Sequence, residues 1–271
     1  MLGKLLKYDI KFGYRAFLIM GGSMILTALL LRIVDPEWEW LNNFTLISFM
    51  PFIFFGIGIA CIVLVFQNFN RNLLSNEGYF MLTLPVKRYK FIVSKLLTSL
   101  MWFNFMIAVG FVTVLILLNR NLIGGTATPH MPLMSFLVNI LTLNIFAVNG
   151  ILALYLLAVA SNVSIGGKKF GAALGAASFI SFALIEVLFL TYIARELFGR
   201  LTIWFISVGN DFQVTVSSEW PLTGHVMESL DVSGPMTVSS IDIASTFTML
   251  LFSVLAYCIV AYYLKKRVDL Q

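Results

Sequence analysis

Long uncharged apolar stretches alternate along this chain with short charged segments. The uncharged runs are Ala16 to Leu31, Trp40 to Asn70, Leu96 to Asn119, Pro132 to Gly167, Phe170 to Ala194 (interrupted once, by Glu186) and Ile243 to Leu264. An α-helix needs about 20 apolar residues to cross the hydrocarbon layer. Each run therefore predicts one crossing. The second and fourth are longer than a crossing needs, so their ends fall at interfaces or in loops. The first extends to Val34 if Arg32 snorkels outward. Six spans is the simplest count, and the expected fold is an all-α membrane protein forming a single transmembrane domain over residues 1–271.

Charge orders these spans into one topology. An even number places both termini on the same side. On that side lie Lys4, Lys7, Lys11 and Arg15 before the first span, and Arg71, Lys87, Arg88, Lys90 and Lys95 between the second and third. Lys168 and Lys169 follow the fourth, and Lys265, Lys266 and Arg267 follow the sixth, making 14 of the 18 basic residues. Only Asp9, Glu77 and Asp269 oppose them. The other side holds Arg32, Arg120, Arg195 and Arg200 against nine acids: Asp35, Glu37, Glu39, Glu196, Asp211, Glu219, Glu228, Asp231 and Asp242. Lysine and arginine accumulate in cytoplasmic loops, so both termini are expected in the cytoplasm. The first run is longer than a signal-peptide core and meets Arg32-Ile33-Val34-Asp35 without a small-residue cleavage site, so it is expected to be retained.

Composition agrees: 59% of residues are hydrophobic and 11% charged, with a mean hydropathy of +0.93. The net charge of +5 is a topological asymmetry rather than a basic patch with aromatic readers, which argues against nucleic acid as a partner. Membrane lipid is the expected surrounding. Cys61 and Cys258 both fall inside spans, where they offer neither a disulfide framework nor a CxxC metal site.

The search for chemistry is mostly negative. The glycines and lysines of Gly166-Gly167-Lys168-Lys169-Phe170-Gly171 lack the spacing of a phosphate-wrapping GxxxxGK[ST] loop. No ATPase site is expected on the chain. HExxH and GxSxG are absent, and His130 and His225 stand alone in expected external loops. No catalytic or metal-binding residue and no resident cofactor is therefore expected. Nor is there an internal duplication or a pair of broken helices of the secondary-transporter type. A single copy reads as half of a transporter.

Two cytoplasmic segments carry more information. Lys4, Lys7, Lys11 and Arg15 recur every three or four residues, with Leu2, Leu5 and Leu6 on another face, predicting an interfacial helix over residues 1–15. A solvated basic leader is the alternative. Residues 70–95 connect the second and third spans and mix charge with Tyr79, Phe80, Met81, Leu82 and Leu84. Pro85 disfavours helical geometry at Leu84. A short element over about Ser75 to Leu84 would then hold its apolar side chains at the membrane surface, as a docking face or tucked under the bundle.

The string Glu77-Gly78-Tyr79-x-x-x-Thr83-Leu84-Pro85-Val86-x-Arg88, between spans two and three of a six-span chain with a basic N-terminal helix, resembles the membrane subunit of an ABC-2-type transporter. The resemblance covers the whole chain in topology and about 20 residues in sequence. It implies that this loop is a coupling helix docking on a separate ATP-binding subunit, and that two six-span subunits, identical or different, enclose a path. Glu77, Gly78, Tyr79, Leu82, Pro85 and Arg88 become the expected ATPase-coupling residues. ATP and magnesium would be held by the partner, and the implied function is export from a bacterial cytoplasmic membrane. Drugs, peptides and lipid-like molecules all suit an apolar route.

Glu186 is the one acid inside an expected span, roughly 24 Å along the helix from Phe170 and about two turns from Arg195. A charge in a membrane marks a gate or polar lining, or else a residue paired at the outer mouth. Asn104, on the third span, and Asn139, Asn144 and Asn149, on the fourth, are further candidates for the pathway, or bond to neighbouring helices. Gly171-Ala172-Ala173-Leu174-Gly175 is a GxxxG packing face, read as packing within the bundle. The external segment, residues 195–242, spans 48 residues. The resemblance implies a short re-entrant helix near Leu201 to Val208, while the alternating Phe212, Val214 and Val216 read as a strand. Two rivals remain open: a sensor or immunity subunit binding an external peptide through residues 195–242, and an ion-coupled transporter using Glu186.

Overall fold

The computed structural model describes residues 2–33, 46–70, 89–121, 133–162, 164–165, 168–169, 171–198, 201–208, 211–217 and 236–269. In chain order the elements are α1 (Leu2–Ile33), α2 (Leu46–Phe69), α3 (Tyr89–Asn121), α4 (Leu133–Ser161), β1 (Ser164–Ile165), β2 (Lys168–Lys169) and α5 (Gly171–Leu188). A π-helical turn (Phe189–Ala194) leads into α6 (Arg195–Phe198), then β3 (Thr202–Val208), β4 (Asp211–Ser217), β5 (Met236–Asp242) and α7 (Ile243–Asp269).

Five stretches among the described residues are long and apolar enough to cross a membrane: Leu5–Leu30, Tyr89–Ile116, Phe136–Ser161, Ala173–Phe198 and Ile243–Leu264. The chain is a helical multi-pass membrane protein. The second expected span contains α2, 24 residues long and without a charged residue. The expected helix over residues 1–15 is no separate element. It is the first half of α1, which runs 32 residues without a break, about 48 Å at 1.5 Å per residue.

The chain divides into two compact units, residues 1–128 with 264–271, and residues 129–263. In the first, α1 and α3 pack in parallel. Asp9 meets Ser94 and Lys95, Gly13 lies under Trp102, and Gly21 lies against Phe105 and Val109. Parallel pairing of the first and third helices is what alternate threading with α2 running back between them requires. Their core is Phe17, Met24, Trp102, Met106 and Val109, with Cys61 and Leu64 of α2 packed against it. Phe17 stacks on the Trp102 indole with ring centroids 4.7 Å apart. A Cβ at Gly13 would stand 3.2 Å from Trp102 Nε1, so the small residue allows α1 to approach the indole closely.

In the second unit the β1–β2 hairpin pairs Ser164 with Lys169 and Ile165 with Lys168 and turns α4 back into an antiparallel α5. Of the GxxxG glycines, Gly175 packs within the bundle as expected, whereas Gly171, at φ +55°, has nothing within 4 Å of where a Cβ would stand. A Cβ at Gly175 would come within 2.9 Å of Ser161 Cβ and 3.0 Å of the Leu157 carbonyl oxygen. Phe252 of α7 receives Phe182 and Phe189 edge-on at 5.4 and 5.6 Å.

At the end of this unit where α6 stops and α7 starts, a three-stranded antiparallel sheet forms in the order β4-β3-β5. Thr202 pairs with Ser217 on one side and Asp242 on the other, and Val208 with Asp211 and Met236. The expected re-entrant helix over Leu201 to Val208 is therefore corrected to the central strand. Thr202-Ile203-Trp204-Phe205-Ile206 is β-branched and aromatic throughout, a composition that favours a pleated surface over a helix. The alternating Phe212, Val214 and Val216 do lie on a strand, β4. The membrane-crossing elements remain helical as expected, and the strands belong to the segment between the last two long helices.

Candidate functional site

Two polar clusters stand among the apolar helices, one in each unit. In the second unit, Asn149 is buried at the middle of α4 and its Nδ2 donates to Glu186 Oε1 of α5 at 2.6 Å. Ser253 of α7 donates to the Met249 carbonyl at 2.7 Å, and its hydroxyl stands 3.4 Å from Asn149 Oδ1. Three helices thus converge on one acid and one amide. The π-helical turn begins three residues after Glu186. Such insertions widen a helix locally and recur near functional groups.

Of the expected pathway residues, this brings together Glu186 and Asn149. The others are not gathered there. Asn144 Nδ2 donates to the Ile140 carbonyl of its own helix at 2.9 Å, and Asn104, in the first unit, donates to Leu100 in the same way at 2.9 Å. Asn139 is exposed on α4. The coupling residues Glu77, Gly78, Tyr79, Leu82, Pro85 and Arg88 lie outside the described residues, as do His130 and His225. Among the described residues no group of histidine, cysteine, aspartate and glutamate could hold a metal, and Cys61 and Cys258 are free thiols.

The Asn149–Glu186 bond makes a direct prediction. Glu186→Gln retains an acceptor for the Asn149 amide, so thermal unfolding in detergent should stay close to the original. Glu186→Leu leaves that amide unpaired in a buried position, at a cost of about 1–3 kcal/mol. Equal stability of the two variants would show that the bond carries no weight.

The second cluster was hidden in the sequence. Asp9, Ser94, Lys95 and Asn68 are all buried, with Lys95 only 2% exposed. Lys95 forms an ion pair with Asp9 and also donates to Asn68 Oδ1 at 3.1 Å. Ser94 donates to the second Asp9 oxygen at 2.8 Å. Glu186 is therefore not the only acid within the apolar helices, because Asp9 lies inside the stretch Leu5–Leu30. The one signal was Asp9 standing alone among four basic residues. Counting by side of the membrane treated it and Lys95 as loop charges. Lys7, Lys11 and Arg15, unlike Asp9, are exposed on α1.

Next to this cluster lies a cavity of about 130 Å³ between α1, α2 and α3, walled by Phe12, Phe17, Leu64, Asn68, Ser99 and Trp102. The Trp102 indole N–H finds no acceptor among the described residues. The fold and these clusters define a class: a helical multi-pass membrane protein with buried polar contacts between helices in each unit. Comparison with family models, characterised proteins and solved structures finds no match.

Proposed function

We propose that the chain is the permease subunit of an ATP-driven exporter of the ABC-2 type, with six spans and both termini in the cytoplasm of a bacterial cell. It has no ATPase site of its own. It pairs with a second permease subunit and with ATP-hydrolysing subunits that carry ATP and magnesium. The observation that carries the reading is the Glu77-Gly78-Tyr79-x-x-x-Thr83-Leu84-Pro85-Val86-x-Arg88 string, placed between the end of α2 and the start of α3. Charge asymmetry and the parallel pairing of α1 with α3 support it, because both follow from alternate threading. Glu186, Asn149 and Ser253 then supply a polar point on an otherwise apolar route, suited to amphipathic cargo such as drugs, peptides or lipid-like molecules.

A second reading draws on the three-stranded sheet, an ordered element in the segment expected outside the cell. A sensor or immunity subunit would use it to bind an external peptide. Deleting residues 209–235 separates the two: loss of a peptide response with ATPase association intact favours sensing. The test of the main reading is whether the chain, extracted gently from its native membrane, brings a soluble ATPase with it. A chain that emerges alone, where other complexes survive, removes that reading.

A further inference from the structure

A buried ion pair is a poor device for holding helices together. Removing both charges from water costs about as much as their attraction returns, and well-packed apolar replacements are often as stable. Here adhesion is already supplied. The aromatic and methionine core of Phe17, Met24, Trp102 and Met106 joins α1 to α3 in the turns that follow. What the pair adds is direction. Both Asp9 oxygens are engaged, one by Lys95 and one by Ser94, and Lys95 bonds Asn68 as well. Apolar contacts have no preferred direction, whereas this network sets the rotation of α1 against α3 and ties the last turn of α2 to both.

The place of the network gives it a use. Asn68 lies in the last turn of α2, which ends at Phe69, and Lys95 lies within two turns of the start of α3 at Tyr89. These are the two stems of residues 71–88. We infer that the buried Asp9–Lys95 pair, with Ser94 and Asn68, is the positioning element that locks both stems of that connection to α1, so that force received there reaches the membrane helices. This rests on the reading of residues 71–88 as the segment that docks an ATPase. The partner pushes on the connection, the connection moves its stems, and the network makes α1 move with them. Without it the first turns of α3 and the last turn of α2 can bend or rotate against α1, because the apolar core that joins α1 to α3 begins only in the turns beyond.

The test uses the full chain with its ATPase in lipid nanodiscs, reading complex formation by size-exclusion chromatography and stimulation of ATP hydrolysis by the chain. Asp9→Leu combined with Lys95→Met replaces the pair by apolar side chains. The complex should form in normal amount while stimulation falls by about fivefold or more, a typical size for coupling between sites. Lys95→Arg keeps the charge and the donors, so stimulation should stay within about twofold of the original. Asn68→Leu leaves the ion pair intact and removes the acceptor by which α2 holds Lys95; it too should form the complex and lose stimulation, and it decides the matter if the double variant fails to assemble. Full stimulation by either the double variant or Asn68→Leu would overturn the inference. If the original chain binds no ATPase, the docking reading fails, and the inference falls with it.

Discussion

Replacing Lys95 alone by methionine is expected to cost about 3–5 kcal/mol of folding free energy, the usual result of leaving one member of a buried ion pair without its partner. Among the described residues the Asp9 carboxylate would keep the Ser94 hydroxyl alone, at a position 4% exposed to solvent. No described basic side chain of α1 can take over, because Lys7, Lys11 and Arg15 are all exposed. Adding Asp9→Leu to Lys95→Met removes the orphaned charge and should recover most of the loss. The signature is strong non-additivity of two contacting sites, read by thermal or denaturant unfolding in mild detergent. Stability of Lys95→Met equal to the original would mean that water reaches the pair, contrary to its burial.

The second large effect concerns association rather than folding. Under the coupling reading, Tyr79 and Leu82 are apolar anchors in a groove of the ATPase, and buried anchors of this kind are worth about 2 kcal/mol or more each. Converting both to aspartate puts two carboxylates into that contact. Two such losses multiply to roughly a thousandfold in affinity, enough to abolish recovery of the complex. Membrane insertion depends on the apolar helices and should be unchanged. Membrane fractions containing the variant in normal amount but no ATPase would be the expected pattern. Unchanged association would remove these residues from the docking face.

Much of the architecture was legible because membrane helices announce themselves in length and apolarity. The stretches Tyr89–Ile116, Phe136–Ser161, Ala173–Phe198 and Ile243–Leu264 overlap the uncharged runs read from the sequence. Gly175 was legible as a packing residue, since a small residue in a span has few other uses. The strand β4 was legible from its period of two. The strand β3 was missed because an apolar run of eight residues has no period that separates a strand from a short helix, and the resemblance favoured the helix. Its neighbours β4 and β5 complete it on both edges, and that pairing is invisible locally.

The polar clusters show the same divide. Glu186 and Asn149 were each singled out as polar residues in spans, though nothing in the sequence said that they bond to each other. Asp9 and Lys95 escape notice for the opposite reason: in the sequence each sits among other basic residues and reads as one more charge at the membrane surface. A bond between positions 86 residues apart leaves no trace in periodicity or in a charge count. Only the parallel approach of α1 and α3 reveals it.

The coupling of this chain to an ATPase is the claim on which the account turns, and ATP hydrolysis measured with and without the chain tests it most directly. The chain, tagged and extracted in mild detergent from its native membrane, should carry a soluble ATPase in roughly equal amount. After transfer to nanodiscs, that ATPase should hydrolyse ATP faster with the chain than alone. A chain recovered without any ATPase, or an ATPase whose rate ignores it, would contradict the account.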